Sequence, residues 1–169
     1  MAAPRLHPHR PRGLTLLELA ITIAVLAVLG ALAAPNMAAR LDHQRLRSAA
    51  EVLAGDVGEA RYLAAQRGSA IQIGTHVGTP WCWAVATASA CGCEAGNACL
   101  VHAGRAADHP GVSLIEGGSV SLEPSGQANA ATLALFESRH GERLRVDVGA
   151  MGRAHLCAVK GSWPQVPAC

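Results

Sequence analysis

The chain begins with a long apolar segment that contains a single charged residue. From Leu14 to Ala34 there are 21 residues, and only Glu18 among them carries a charge. A helix rises about 1.5 Å per residue, so this segment would reach roughly 32 Å, against a bilayer core of about 30 Å. The pattern predicts a leader over residues 1–13 and a transmembrane segment over residues 14–35.

Two simpler interpretations of this segment remain open from the pattern alone. A secretory signal peptide would be shorter, and the nearest candidate for a small-residue cleavage site, after Ala34, is followed by Pro35. A plain membrane anchor leaves Glu18 unexplained, because a carboxylate at a membrane centre costs about 2.5–3.5 kcal/mol. An acid inside a membrane usually has a partner, so Glu18 is a functional candidate.

A second apolar pattern, with helical spacing, follows Pro35. It predicts one helix over residues 15–67, kinked near Pro35 and stopped at Gly68. Residues 36–67 would form an amphipathic stem whose charges are a solvated face. The predicted apolar stripe is Met37, Leu41, Ala49, Leu53, Val57, Ala60 and Ala64, interrupted by Arg45. The predicted solvated charges are Arg40, Asp42, Arg47, Glu51, Asp56, Glu59 and Arg61.

After Gly68 the pattern changes to short strand-like runs separated by glycine, proline, serine and asparagine. The clearest run, residues 143–148, alternates strictly and predicts one buried and one solvated face. A long helix followed by such strands predicts an α+β fold, with the helix packed on an antiparallel β-sheet head over residues 68–169. The predicted strands are 70–75, 81–87, 99–102, 112–115, 120–122, 132–136, 144–148 and 154–159.

Composition and charge restrict the partners of this head. Only five residues are aromatic, so alanine and glycine must supply much of the core. The net charge of +2 arises in the leader, because residues 14–169 contain 11 Lys and Arg against 12 Asp and Glu. A protein that coats nucleic acid through a generally basic surface is therefore not expected, and any basic surface must be local.

Six cysteines in a short chain beside a targeting segment favour disulfides in an oxidising compartment. A zinc site built from the central cysteines and the nearby His76 and His102 is the alternative, but the paired C-x₂-C spacing of structural zinc sites is missing. Cys91 and Cys93 are too close for a relaxed mutual bond, so each would bond to Cys82 or Cys99 in an order that the sequence leaves open. Cys157 and Cys169 would then close the C-terminal tail.

The remaining candidate side chains favour a structural protein over an enzyme. Trp81 and Trp83 would share a strand face and pack in the core or at a subunit contact. The histidines are scattered, and no phosphate-binding glycine loop, metalloprotease motif or hydrolase motif is present. No cofactor and no metal is predicted.

The start of the chain resembles the type IV prepilins. Residues 12–19 read RGLTLLEL, with a basic leader before them, a glycine, an apolar residue and a glutamate fifth after the glycine. The resemblance implies cleavage between Gly13 and Leu14 by a prepilin peptidase, followed by N-methylation of Leu14. It also implies that Glu18 pairs with a terminal amine during filament assembly and that Pro35 kinks the helix.

The head resembles the GspH/FimT type of minor pilins and type II secretion pseudopilins. Three segments carry the resemblance: GEARYLAAQRG at 58–68, LEPSGQA at 122–128 and GRAHLC at 152–157. Members of this group are filament subunits, and the FimT branch implies DNA capture during natural transformation. In the last of these segments, His155 stands where this group usually has an arginine.

The C-terminal 31 residues have a local charge of +3 that could serve such a DNA contact. Arg143 and Arg145 would project to one side of a strand, and Arg153 and His155 to one side of the next. Phosphates attract such a ridge without sequence readout, whereas a solvated strand face is the alternative. Trp163, if exposed in the tail, would add a stacking side chain. The candidate DNA-binding residues are Arg143, Arg145, Arg153, His155 and Lys160.

These observations predict a structural minor pilin or pseudopilin, with DNA uptake as the alternative function. The resemblance implies an inner-membrane anchor, a periplasmic head and, after assembly, a place in a type II secretion filament or type IV pilus. The implied partners are other pilin or pseudopilin subunits, the prepilin peptidase and the inner-membrane assembly platform, with DNA as a further candidate.

Overall fold

The structure is a computed structural model that describes residues 15–89 and 91–169, apart from the side chains of residues 32–36. It contains one long helix followed by eight strands. The elements are α1 (Leu16–Arg67), β1 (Ile71–His76), β2 (Cys82–Ala86), β3 (Leu100–Arg105), a 3₁₀ turn (Ala106–Asp108), β4 (Val112–Gly117), β5 (Ser119–Leu122), β6 (Ala131–Ser138), β7 (Arg143–Val148) and β8 (Ala154–Lys160).

All eight predicted strands are present, most of them one or two residues longer than predicted. They form two antiparallel sheets of four strands, in the orders β3-β2-β1-β5 and β4-β6-β7-β8. β7 shows the predicted alternation, with Leu144, Val146 and Val148 buried. The α+β prediction is confirmed, and the head contains two sheets rather than one.

The predicted helix over 15–67 is observed as Leu16–Arg67. It ends at Gly68, whose positive φ of 64° is the left-handed conformation that terminates helices. Residues Ala39–Cys169 form one compact unit, called the head unit below, and the part of α1 before Ala39 belongs to another. The kink at Pro35 stays a prediction.

The buried face of α1 starts later than the sequence pattern predicted. Met37 and Leu41 are 64% and 45% exposed, whereas Leu46 is fully buried. The continuous stripe therefore begins about one turn beyond Leu41, where the two sheets cover the helix. The buried helical residues are Leu46, Ala49, Ala50, Leu53, Val57, Ala60 and Ala64.

One hydrophobic core joins the helix to both sheets. Four of the five aromatic side chains contribute to it. Trp81 and Trp83 share a face and stack at 5.7 Å between ring centroids, and Phe136 from the other sheet meets both edge-on. This confirms the core alternative for the two tryptophans. Gly104 on β3 makes room for the Trp83 indole, which a Cβ at that position would overlap.

Two acids that were predicted to lie on a solvated helix face are buried instead. Asp42 is 7% exposed and Asp56 is 8% exposed. Asp42 lies within 3.2 Å of Arg45 and 3.4 Å of His140. Asp56 accepts a 2.6 Å hydrogen bond from Trp83 Nε1. The solvated-face prediction is wrong for these two residues, because loops and strands of the head supply polar partners that the sequence pattern does not reveal.

Candidate functional site

The first turn of α1 is organised around Thr15 and Glu18. The backbone N–H of Glu18 donates to Thr15 Oγ1 at 3.2 Å, and Leu19 N–H donates to Thr15 O at 3.0 Å. Thr15 thus lies at the N-cap with Glu18 three residues later, the spacing of a capping box. A carboxylate in the first turn also interacts favourably with the helix dipole. The T-x-x-E spacing was readable in the sequence and was missed.

The processing residues Gly13 and Leu14 lie outside the described residues, and so does the side chain of Pro35. Glu18 is exposed, and its carboxylate makes no ion pair with any residue in 15–89 or 91–169. The assembly roles of Glu18 and Pro35 remain predictions.

Large aliphatic side chains surround the first part of α1 on every side. The exposed fractions run from 48% at Leu19 to 88% at Leu16. Searched over the residues that the structure describes, no helix combines the length and the apolarity needed to cross a membrane. The exposed aliphatic residues of this part are Leu16, Leu17, Leu19, Ile21, Ile23, Val25, Leu26, Val28 and Leu29.

The predicted DNA-binding strands form a hairpin with the expected facing. Arg143 and Arg145 share the solvated face of β7, and His155 of β8 lies opposite Asp147. Lys160 lies opposite Arg143, whereas Arg153 is exposed and immediately precedes β8.

Carboxylates on the same face neutralise the two strand arginines. Arg143 Nε lies 2.8 Å from Glu137 Oε1, and Arg145 Nε lies 2.9 Å from Asp147 Oδ2. The face is therefore mixed in charge rather than a basic ridge. Glu137 comes two residues before the window whose net charge suggested the ridge, and only the β6–β7 pairing brings it beside Arg143.

Trp163 is buried and not available for base stacking. It is 7% exposed and stacks on His43 of α1, with ring centroids 3.7 Å apart. His43 Nδ1 lies 3.2 Å from Glu142 Oε1, so the tail, the helix and the β6–β7 turn meet at this imidazole. The expectation of an exposed Trp163 is wrong, because the tail folds back along β8 instead of extending into solvent.

All six cysteines are paired. The bonds are Cys82–Cys93, Cys91–Cys99 and Cys157–Cys169. The last bond is the one expected from the sequence, and the first two decide the order that the sequence left open. With its thiols in disulfides, the central group does not present the thiolates that a zinc site requires.

The C-terminal disulfide holds the tail along the outer edge of β8. Ala158 N–H donates to Pro167 O at 2.8 Å, and Cys169 N–H donates to Ala158 O at 3.2 Å. Arg47 also donates to the side chain of Gln165 at 3.3 Å. The tail thus satisfies backbone groups of an edge strand that would otherwise be open to pairing with another chain.

A buried polar contact joins the helix to the first sheet. Burial raises the pKa of the Asp56 carboxyl, while the hydrogen bond from Trp83 and the nearby His102 act in the opposite direction. His102 Nε2 lies 3.8 Å from Asp56 Oδ2. His109, packed against Trp81 and Trp83, has its pKa lowered by burial. Sequence reasoning missed both groups, although an acid among the apolar positions of the stem was a usable signal.

Comparison with known proteins supports the prepilin resemblance of the N-terminal segment. Residues 8–34 match the family described as the prokaryotic N-terminal methylation motif. The chain is also 38% identical over 74 residues to the type II secretion system protein H of Xanthomonas campestris pv. campestris. The aligned segment covers 39% of the chain and 44% of that protein. Both matches support a type IV pilin-like protein.

The chain spans less than half the length of the curated relative that it matches. No solved structure matches it. Its long N-terminal helix packed on antiparallel sheets is consistent with the type IV pilin-like fold.

Proposed function

We propose that this pilin-like protein is a structural subunit, a minor pilin or pseudopilin, of a type II secretion filament or a type IV pilus. The observation that carries the proposal is the methylation motif over residues 8–34, together with an aliphatic helical segment whose side chains the chain itself leaves uncovered. In this role the aliphatic segment anchors the subunit in the inner membrane, and the disulfide-bonded head unit lies in the periplasm. The role is structural rather than catalytic.

Processing is the first step of the proposed role. A prepilin peptidase would cut between Gly13 and Leu14. The new terminal amine would then be methylated and would keep its positive charge. Glu18, four residues beyond Leu14, would then bind the terminal amine of a neighbouring subunit. A carboxylate in an apolar environment is costly unless it is paired, so this contact would favour one register of insertion.

The test is to coexpress the full chain with a prepilin peptidase and to measure the intact mass. The expected product lacks residues 1–13 and carries one methyl group on Leu14. Cleavage near Ala34, or an uncut chain, contradicts the proposal. Glu18→Ala should be processed and folded normally yet fail to enter filaments, whereas the control Glu59→Ala, an exposed acid of the head unit, should assemble like the native chain.

The two machines share this anchor, so the genes beside the coding sequence would separate them. Secretion genes would favour the pseudopilin, and pilus or competence genes would favour the minor pilin. DNA capture is the less favoured function, because Arg143 and Arg145 are each bound to a carboxylate. It would have to rest on Arg153, Lys160 and His155.

A further inference from the structure

Arg61 stands apart from the other partly buried arginines of the head unit. Within the described residues, Arg45, Arg47, Arg143 and Arg145 are also partly buried, and each lies within 4 Å of a carboxylate. Arg61 shares their burial but has no such partner among residues 15–89 and 91–169. A partly buried guanidinium without an ion pair is suited to bind a carboxylate from outside the chain.

Two glycines bring the chain close to Arg61. A Cβ at Gly126 would lie 3.1 Å from Arg61 Nε, and a Cβ at Gly152 would lie 3.4 Å from Arg61 Cδ and 2.7 Å from the Gly126 carbonyl oxygen. Both glycines have positive φ, 82° and 64°, a conformation that other residues adopt at a cost. The stem end, the 122–128 loop and the turn before β8, which are distant in sequence, therefore converge on one side chain.

This convergence forms a concave site. Arg61, Tyr62, Pro124, Ser125 and Gly126 line a cavity of about 330 Å³ that is open to solvent. The apolar walls come from Tyr62, Pro124 and nearby small residues of α1, and the polar groups come from Arg61 and the Ser125 hydroxyl. One charged side chain among apolar walls is suited to a single anionic group attached to a protein segment.

Tyr62 is the exposed aromatic residue at this site. It is 66% exposed, whereas Trp81, Trp83, Phe136 and Trp163 are at most 7% exposed. An aromatic side chain left in water beside an unpaired arginine matches the composition of protein–protein hot spots, which are enriched in tyrosine and arginine.

The charge of the cavity lining favours a carboxylate over a polyanion. Arg61 is the single charged residue among those that line the cavity. A chain of phosphates gains its affinity from several cations, whereas one guanidinium matches one carboxylate.

We propose that the Arg61 pocket receives an aspartate or glutamate side chain from a neighbouring protein subunit. The carboxylate accepts N–H donors from the guanidinium, and the Tyr62 ring covers the apolar part of the same segment. That this neighbour belongs to a filament rests on the proposed function, whereas the chemistry of the pocket does not.

Site-specific photo-crosslinking of the full chain in its host cells tests the pocket. A photoreactive amino acid replaces Ala65, an exposed residue one turn beyond Arg61 that lines the cavity. The expected adduct maps to a protein segment containing Asp or Glu. Arg61→Gln should reduce its yield about tenfold, the loss of one charge-assisted contact, and the control Arg67→Gln, an exposed arginine at the helix end, should not.

A charge exchange separates loss of the contact from loss of folding. Arg61→Glu should abolish the adduct, and replacement of the mapped acid by arginine in the partner should restore it. An adduct that Arg61→Gln leaves unchanged, one that maps to a segment without acids, one on lipid or nucleic acid, or no adduct at all would overturn the proposal. Cleavage after Gly13 is measured in the same cells. Failure of the pocket proposal can therefore be distinguished from failure of the proposed filament role.

Discussion

The two parts of α1 differ in what covers their apolar side chains. In residues 16–31 the large aliphatic side chains are exposed, whereas in residues 46–64 the apolar stripe is buried by the head. Leu26 is 67% exposed and Leu53 is fully buried, although both are leucines of the same helix. The second part is covered by the chain's own sheets, and the first is left exposed.

The difference shows that hydrophobicity alone does not specify a core. The first part is apolar around its whole circumference, as expected for a helix whose surroundings are apolar on all sides. The second part is apolar along one stripe, which packs in a common core with residues of both sheets. The two parts of the helix thus differ in the arrangement of their apolar residues rather than in the number of these residues.

A pair of leucine substitutions tests this comparison with the largest expected effect. Leu53→Ala should lower the free energy of unfolding of the head by about 2–5 kcal/mol, because it leaves a cavity in a packed core. Leu26→Ala should leave that free energy unchanged. Urea unfolding of the detergent-solubilised chain, followed by tryptophan fluorescence, measures both. Equal losses in the two variants would contradict the division of the helix.

The C-terminal tail is a second segment that the head holds by its own contacts. Replacing Cys157 and Cys169 by serine opens a loop whose ends are 12 residues apart and should cost about 3 kcal/mol in the loop-entropy account. The same unfolding experiment measures the loss, and limited proteolysis should then cut the released tail. If the tail stays protected and stability is unchanged, the packing of Trp163 on His43 is sufficient to hold it.

Asp56 tests the polar part of the contact between the second half of α1 and the head. Asp56→Ala leaves the buried Trp83 N–H without an acceptor and should cost about 1–3 kcal/mol. Asp56→Asn keeps an acceptor and removes the charge. Because burial raises the pKa of Asp56 above its ordinary 3.8, the carboxyl contributes stability that is present below pH 3.8 and lost as pH rises through the folded pKa.

At neutral pH, Asp56→Asn should therefore be at least as stable as the native head, and its stability should vary less between pH 3 and 6. Urea midpoints measured across that range give the comparison. A strongly destabilised Asp56→Asn variant would show instead that the ionised carboxylate is the favoured form.

His109 should produce the smallest effect. Burial lowers its pKa below the ordinary 6.5, so the unfolded chain binds a proton first, and stability falls as pH drops from 6.5 towards the folded pKa. The loss should stay below about 1.4 kcal/mol for each pH unit. His109→Phe, which cannot titrate, should flatten this part of the profile. An unchanged slope in the variant would assign the pH dependence to other groups.

Local patterns were enough to predict the elements of this protein. The helix bounds and all eight strands follow from periodicity, from Gly68 and from the turn residues between strands, because these signals act over a few residues. The order of the strands does not follow, since β1 pairs with β5 and β4 with β6. Such pairings depend on which apolar faces meet after the chain has turned back.

The sequence by itself determined the N-terminal methylation motif, the apolar helical segment, the strands and the preference of the six cysteines for disulfides, because each depends on residue type at short spacing. Only the tertiary structure decided which charges are free. It placed Glu137 beside Arg143 and buried Asp56 under Trp83, and it surrounded Arg61 with glycines from two distant loops. Whether a charge is paired depends on distances between residues that are far apart in the chain, and only the folded packing sets those distances.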